Sequence, residues 1–172
     1  MLKKEVIEKA KAFCEKHKVN TYPVKIIDLC SQYGFSVFKN DLKKETSGYI
    51  IAQDKPIDKI GLSKIIVVNA KDSMERQRFT VAHELAHFIL HHNGKTLYAH
   101  RDDGQAGGIE NEADEFAANV LMPENLVKEA LSYLVDESNR FLPFFMKVDF
   151  IANQFAVSKA AAQVRLEQLG IR

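Results

Sequence analysis

The hydrophobic pattern of the chain changes from helical spacing to strand spacing and back, and this change limits the fold more than any other feature. Strand patterns occupy three short stretches, 35–38, 48–52 and 64–69, and the last of them is the β-branched run KIIVVN. Apolar residues recur at helical spacing in 2–18, 24–33, 74–92, 109–121, 124–134, 145–155 and 159–169. We therefore expect an α+β fold, with a small antiparallel sheet of about three strands beside helices that hold the functional residues.

Two interruptions of the pattern divide the chain further. Residues 93–108 contain several Gly and Asn residues and no apolar run, so we predict a long loop there. Pro143 separates off two final helical stretches that are joined by a tight turn. We expect one main domain over residues 1–143 and a helix-turn-helix-like segment over residues 144–172.

Composition excludes several classes of protein. With 24 basic and 23 acidic residues the net charge is +1, which favours neither nucleic acid nor a membrane surface as a partner. The N-terminal stretch mixes Lys with Glu and is unlike a signal peptide, and no run approaches the ~18 apolar residues of a membrane span. Cys14 and Cys30 both lie in amphipathic helical patterns. We expect buried, reduced thiols and a cytoplasmic protein.

His83, Glu84 and His87 form an H-E-x-x-H segment inside the helical stretch 74–92. Residues four apart on a helix lie on one face, so both imidazoles can bind one metal ion at roughly 2.0–2.1 Å. Glu84 lies ~100° around the helix from His83, where it can reach a water at the ion's open position. The segment indicates a zinc site with Glu84 as general base, and a surface helix with two solvated histidines is the alternative.

A catalytic zinc site has three protein ligands, so the third must come from another element. The carboxylates Glu110, Glu112, Asp114 and Glu115 lie close together at the start of the stretch 109–121. A solvated helix N-terminus explains such a cluster, and so does a bound divalent cation. Because Glu110 and Asp114 share a helix face, we expect Glu110 to be the ligand and Asp114 to orient a ligand histidine. Glu112 is the alternative ligand.

A further group is needed to stabilise the oxyanion of a tetrahedral intermediate. Four residues beyond the motif can donate the hydrogen bond, and the sequence does not choose among them: Tyr98, His91, His92 and His100.

The sequence RFTVAHELAHFILH at 78–91 is followed by ENEADEFAA at 110–118 and by LMP at 121–123. Together with SGYI at 47–50 and the strand at 65–69, these segments resemble the ImmA/IrrE metallopeptidases in order and in spacing. The resemblance covers the chain from roughly residue 24 to residue 135.

The resemblance implies a gluzincin-like site. In it His83 and His87 are zinc ligands, Glu84 is the base, and Glu110 is the third ligand in an E-x-x-x-[ND] pattern. Members of the family often have Asn where this chain has Asp114, and either side chain can orient a histidine.

The resemblance also implies a substrate class, because characterised members cleave helix-turn-helix repressors or promote their cleavage. We therefore expect a zinc endopeptidase that acts on such a repressor and relieves repression. The alternative is a non-catalytic regulator, braced by zinc, that binds a repressor or DNA through its C-terminal helices. A metal hydrolase acting on a non-peptide bond is a third hypothesis.

The C-terminal helices can pack, dock a substrate or contact DNA. We predict that Ala152, Val157 and Val164 point inward and that Ser158 caps the last helix. The residue types able to meet DNA are predicted at exposed positions: Lys159, Gln163, Arg165 and Gln168. Because Glu167 is acidic and the region is only mildly basic, we favour packing or substrate docking over DNA contact.

Overall fold

A computed structural model describes residues 1–57, 59–91, 107–134 and 142–172, and residues 97–99 by their backbone. Within these ranges the elements are α1 (Lys3–Lys16), α2 (Ile26–Gln32), β1 (Ser36–Asn40), β2 (Gly48–Ala52), β3 (Lys64–Asn69), α3 (Met74–His91), β4 (Leu97–Ala99), α4 (Gly107–Leu121), α5 (Glu124–Ser132), α6 (Phe144–Phe155) and α7 (Lys159–Gln168). The predicted α+β class is confirmed. Each predicted helix is present, with its ends shifted by two residues or fewer.

The sheet is larger and more mixed than the sequence predicts. Its strand order is β1-β3-β2-β4. β2 is antiparallel to both β3 and β4, as expected, but β1 runs parallel to β3. The short strand β4 lies within the stretch 93–108 that we expected to be a loop throughout.

β3 occupies an inner position because of its composition. Five of its six residues are buried, so both of its faces are covered. A continuous β-branched run is typical of a strand inside a sheet, whereas alternation is typical of a strand with one wet face. β3 therefore lies between β1 and β2, and β1 pairs with it in the parallel direction.

Gly48 allows the sheet to approach α3 closely. A Cβ atom at this position would lie 2.5 Å from Cγ2 of Thr80 on α3 and 2.7 Å from the backbone oxygen of Val67. Any larger side chain would therefore push β2 away from its two neighbours. The contact sets the position of the helix that contains the H-E-x-x-H segment.

α3 is the central helix of the molecule. It contacts β2, β3, α2 and α4, and it is buried over most of its circumference. The alanines of α3 and α4 are fully buried where these helices lie side by side, which lets their backbones come close: Ala82, Ala86, Ala113 and Ala117. Carboxylates on α4 can therefore reach the histidines of α3.

The C-terminal helices share the core of the rest of the chain. Ile151 and Phe155 of α6 and Leu166 of α7 belong to the same buried cluster as Leu85 of α3 and Phe116 of α4. This packing agrees with our expectation that the C-terminal helices pack or dock a substrate rather than contact DNA. The boundary between residues 143 and 144 stays a prediction.

Two predictions about α7 are wrong. Arg165 is only 4% exposed, and its Nε donates to the backbone oxygen of Met122 at 3.0 Å. Val164 is 53% exposed, although we predicted that it points inward. The helix is therefore rotated from the predicted orientation, with position 165 rather than 164 on its buried side. The predicted cap is confirmed, because Ser158 Oγ accepts from the backbone N–H of Ala161 at 3.1 Å.

Both cysteines are free and buried, as predicted. Burial raises the pKa of each thiol to about 12. Among the residues described, no helix has the length and apolar character needed to cross a membrane.

Candidate metal centre

The H-E-x-x-H segment lies in the buried middle of α3. His83, Glu84 and His87 are 2%, 5% and 3% exposed, respectively. Polar and ionisable side chains are seldom buried this deeply unless they have partners or bind an ion. Three such residues within about one turn of one helix therefore indicate a built site.

Glu110 joins the two histidines from α4. One of its carboxylate oxygens lies 3.0 Å from Nε2 of His83, and the other lies 3.2 Å from Nε2 of His87. The two Nε2 atoms are themselves 3.0 Å apart. Donor atoms of these three side chains all fall within 4.8 Å of one another.

These distances fit a tetrahedral zinc ion. Ligand atoms at 2.0–2.1 Å from zinc in a tetrahedral arrangement are separated by roughly 3.3 Å, close to the separations of 3.0 and 3.2 Å here. Imidazole nitrogen and carboxylate oxygen are ligands that zinc accepts, although other divalent ions accept them too. The residues present can therefore hold a divalent metal with one coordination position left for solvent.

Asp114 fixes the orientation of His83. Its Oδ1 lies 2.7 Å from Nδ1 of the imidazole, so that nitrogen donates and Nε2 keeps its lone pair for the shared centre. Burial by itself would lower the pKa of His83. The hydrogen bond to Asp114 and the charges of Glu84, Asp114 and Glu110 outweigh this effect and raise the pKa.

Glu84 lies beside this cluster on α3. Its negative charge contributes to the raised pKa of His83, so the carboxylate is close enough to interact with the imidazole. A buried carboxylate next to a metal centre can hold and release a proton there.

Glu112 has other partners. One of its oxygens contacts the N-terminal ammonium of Met1, and the other lies 3.3 Å from Nε2 of His91. His91 is one turn beyond His87, and its pKa is lowered, mainly by burial. Of the two carboxylates considered as third ligand, Glu110 is the one that lies between His83 and His87.

The choice of oxyanion donor stays open. His91 faces Glu112. Tyr98 is in β4, where only the backbone is described, and His92 and His100 lie outside the described residues.

Sequence reasoning missed two interactions that support this site. Arg76 donates to Ser47 Oγ from Nη2 at 2.7 Å, which joins the start of α3 to the segment before β2. Arg78 donates to the backbone oxygens of Val24 at 2.9 Å and Ala156 at 3.2 Å, which joins α3 to the C-terminal helices. The two arginines are visible in the sequence near the start of α3. Their acceptors are distant along the chain, so the sequence does not indicate which groups they bind.

Comparisons with known proteins agree with this geometry. Residues 30–167 match the model of the Peptidase_M78 family, described as the IrrE N-terminal-like domain. The chain is 21% identical to metallopeptidase ImmA of Bacillus subtilis over 157 residues, which cover 91% of this chain and 86% of that protein. It is 32% identical to the radiation response metalloprotease IrrE of Deinococcus radiodurans over 108 residues, which cover 60% of this chain but only 31% of that protein.

The family model spans most of the chain, and the matched range includes both helices of the metal centre. The chain therefore belongs to the Peptidase_M78 family of metallopeptidases.

Proposed function

We propose that this protein is a zinc endopeptidase that hydrolyses a peptide bond in an intracellular protein. The observation that carries the proposal is the meeting of His83, His87 and Glu110 at one centre, with separations that suit tetrahedral zinc. Three protein ligands leave the fourth position open, which distinguishes catalytic zinc sites from structural ones. Asp114 orients His83 and raises its basicity as a ligand.

Glu84 is the general base of the proposed reaction. A bound zinc ion would supply a water of lowered pKa and would polarise the scissile carbonyl. Glu84 takes the proton of the attacking water and later delivers it to the nitrogen of the leaving amine. Its buried position keeps the carboxylate away from bulk solvent and therefore favours this exchange.

The proposed substrate is a helix-turn-helix transcriptional repressor, cut at an exposed linker so that repression is relieved. This part of the proposal rests on the resemblance to the ImmA/IrrE metallopeptidases. A cytoplasmic location is proposed with it, because the two cysteines are free and buried and a repressor acts in the cytoplasm.

The test is co-expression with candidate helix-turn-helix repressors from the same organism, followed by mass measurement of the products. Glu84→Gln removes the base and keeps the shape of the side chain. We expect this variant to retain zinc and to lose cleavage by about 10²-fold or more. Glu8→Gln, on the exposed side of α1, is the matched control and should cleave like the wild type.

The non-catalytic alternative gives a different result in the same experiment. If zinc only braces a regulator, Glu84→Gln relieves repression as well as the wild type does, and the repressor keeps its full mass. Direct DNA contact by the C-terminal helices is weakened as a hypothesis, because Arg165 is buried rather than exposed. If a purified non-peptide substrate were hydrolysed while the repressor stayed intact, the peptidase proposal would be wrong.

A further inference from the structure

A cavity of about 550 Å³ lies between α1 and the segment that joins α4 to α5, and α7 closes it. The residues used below are Lys11, Asn119, Asn125, Lys128 and Arg165. Asn119 follows Glu110 by nine residues on α4, which places it roughly 13 Å further along the helix. The cavity is therefore separate from the metal centre.

Arg165 is an unusual residue to line such a cavity. The residue is only 4% exposed, yet it lines the cavity. Within the described part of the chain, the backbone oxygen of Met122 is its one hydrogen-bond acceptor, at 3.0 Å from Nε. A guanidinium has five N–H donors, and the backbone oxygen of Met122 accounts for one of them. No nitrogen of Arg165 is among the buried, unpaired polar atoms of the described residues, so the donors not used by Met122 reach open volume and are available to a ligand.

The charges around the cavity favour an anion. Four basic and two acidic side chains line it. One of the acids, Glu124, is already paired with Lys128, and its pKa is lowered by that hydrogen bond and by the charges of Lys128, Arg165 and Lys11. Among the described residues Arg165 forms no direct ion pair, although the charges of Glu115 and Glu124 act on it from a greater distance.

We propose that this cavity binds a small organic anion through a phosphate or carboxylate group held by Arg165. The planar guanidinium fork suits either group, and lysines add point charges that both groups accept. Lys11 and Lys128 lie at the rim, and the amide of Asn125 can hydrogen-bond the rest of the ligand. The amide nitrogen of Asn119 already donates to Glu115, which leaves its oxygen as an acceptor. The volume is in the range of sites for nucleotide-sized molecules, ~300–1,000 Å³.

A bound anion would join α1 to α4, α5 and α7. It would therefore stabilise the helix that also contains Glu110. The inference is independent of the peptidase proposal, because none of the residues in the cavity wall belongs to the metal centre.

The test is a titration of the zinc-loaded full chain, followed by ¹H–¹⁵N NMR at constant ionic strength. Inorganic phosphate and succinate are added in separate arms, with chloride as the ionic-strength control. We expect saturable shifts of the Arg165 Nε–H signal and of the backbone amides of Lys11 and Asn125. Saturation by phosphate alone identifies a phosphate ligand, by succinate alone a carboxylate ligand, and by both a general site for oxyanions.

Variants at the rim make the test specific. Lys11→Ala with Lys128→Ala should weaken binding by about tenfold or more, and both side chains are exposed, so the fold is not at risk. Lys43→Ala with Lys44→Ala changes the net charge equally on an exposed segment far from the cavity and should bind like the wild type. Asn125→Trp should block the cavity and abolish the shifts.

Two results would overturn the proposal. One is that neither phosphate nor succinate gives saturable shifts at tens of millimolar. The other is that the Lys11/Lys128 and Lys43/Lys44 double variants bind equally, because the affinity would then come from overall charge rather than from this cavity.

Discussion

His83 is the residue at which the core, the orienting carboxylate and the metal centre meet. Its Nδ1 is 2.7 Å from Asp114, and its Nε2 is 3.0 Å from both Glu110 and His87. The first contact determines which nitrogen holds the proton, and so it decides whether the other can bind a metal. A single hydrogen bond thus connects the partly exposed surface of α4 to the buried centre.

Asp114→Ala is predicted to weaken zinc binding by about 10- to 100-fold, because the imidazole of His83 loses the group that fixes its tautomer. Asp114→Asn keeps an acceptor oxygen, so its zinc affinity should fall by less than that of Asp114→Ala. Competition with a chelator of known affinity measures the effect, and Asp149→Ala, on α6, is the control. Equal zinc affinity in Asp114→Ala and the wild type would show that the hydrogen bond does not support the site.

The two thiols predict a loss of stability at high pH. Burial raises the pKa of Cys14 and Cys30 to about 12, whereas a thiol in the unfolded chain has a pKa of about 8.5. Above pH ~8.5 the unfolded chain releases these protons and the folded chain keeps them. The stability present below that pH is therefore lost as the pH rises towards 12.

By pH ~9.5 the loss should amount to roughly 1 kcal/mol per thiol. The free energy of unfolding in urea, measured at about pH 8.5 and about pH 9.5, tests this expectation. A variant with Cys14→Ala and Cys30→Ala should show a shallower decline. If the wild type and this variant declined in parallel, the thiols would not be the cause.

Among the elements, the helices are predicted from the sequence more completely than the pairing of the strands is. A helix such as α3 has a repeating apolar pattern and a stop signal within its own residues. The position of β1 beside β3 depends on long-range pairing that no local pattern encodes. β4 spans only Leu97–Ala99, too short a segment for alternation to appear.

The metal-binding histidines were easier to predict than the burial of α7, because their arrangement is also local to one helix. Residues four apart on one helix share a face whatever the rest of the fold does, so His83 and His87 follow from spacing alone. The choice of Glu110 rested on the helix face that it shares with Asp114 and on the resemblance to a family, whereas its meeting with the histidines needs α3 and α4 to pack side by side. The burial of Arg165 depends on the backbone oxygen of Met122, which no sequence pattern indicates.

Gly48→Ala is predicted to destabilise the protein by ~1–3 kcal/mol, because the new methyl group would collide with Thr80 and with the backbone of Val67. Gly108→Ala, in a helix where the added methyl group meets no atom within 4 Å, is the matched control and should be neutral or slightly stabilising. Urea denaturation compares the two variants. A stable Gly48→Ala protein would mean that β2 and α3 are less tightly joined than described.

At the scale of the whole molecule, the extent of the core predicts a fold that does not depend on the metal. One buried cluster includes residues from α1 through α7, and α3 and α4 are joined by it as well as by the contacts of Glu110 with His83 and His87. A chain of this length can bury enough apolar surface to fold without a metal. This separates the protein from small domains that unfold when zinc is removed.

Removal of zinc with a chelator is therefore predicted to abolish cleavage while the protein stays folded. The Tm should fall, because a ligand that binds only the folded state stabilises it by mass action. Far-UV circular dichroism and the thermal transition report the fold, and restored zinc should restore cleavage. Loss of the helical signal on chelation would instead support the zinc-braced regulator.

The central claim is that His83, His87 and Glu110 hold a zinc ion with one position open. Anomalous diffraction at the zinc edge from crystals of the zinc-loaded protein tests it directly. The account predicts one peak per chain, at roughly 2.0–2.2 Å from Nε2 of both histidines and from a carboxylate oxygen of Glu110, with solvent at the fourth position. A peak elsewhere, or a fourth position filled by a protein side chain, would contradict it.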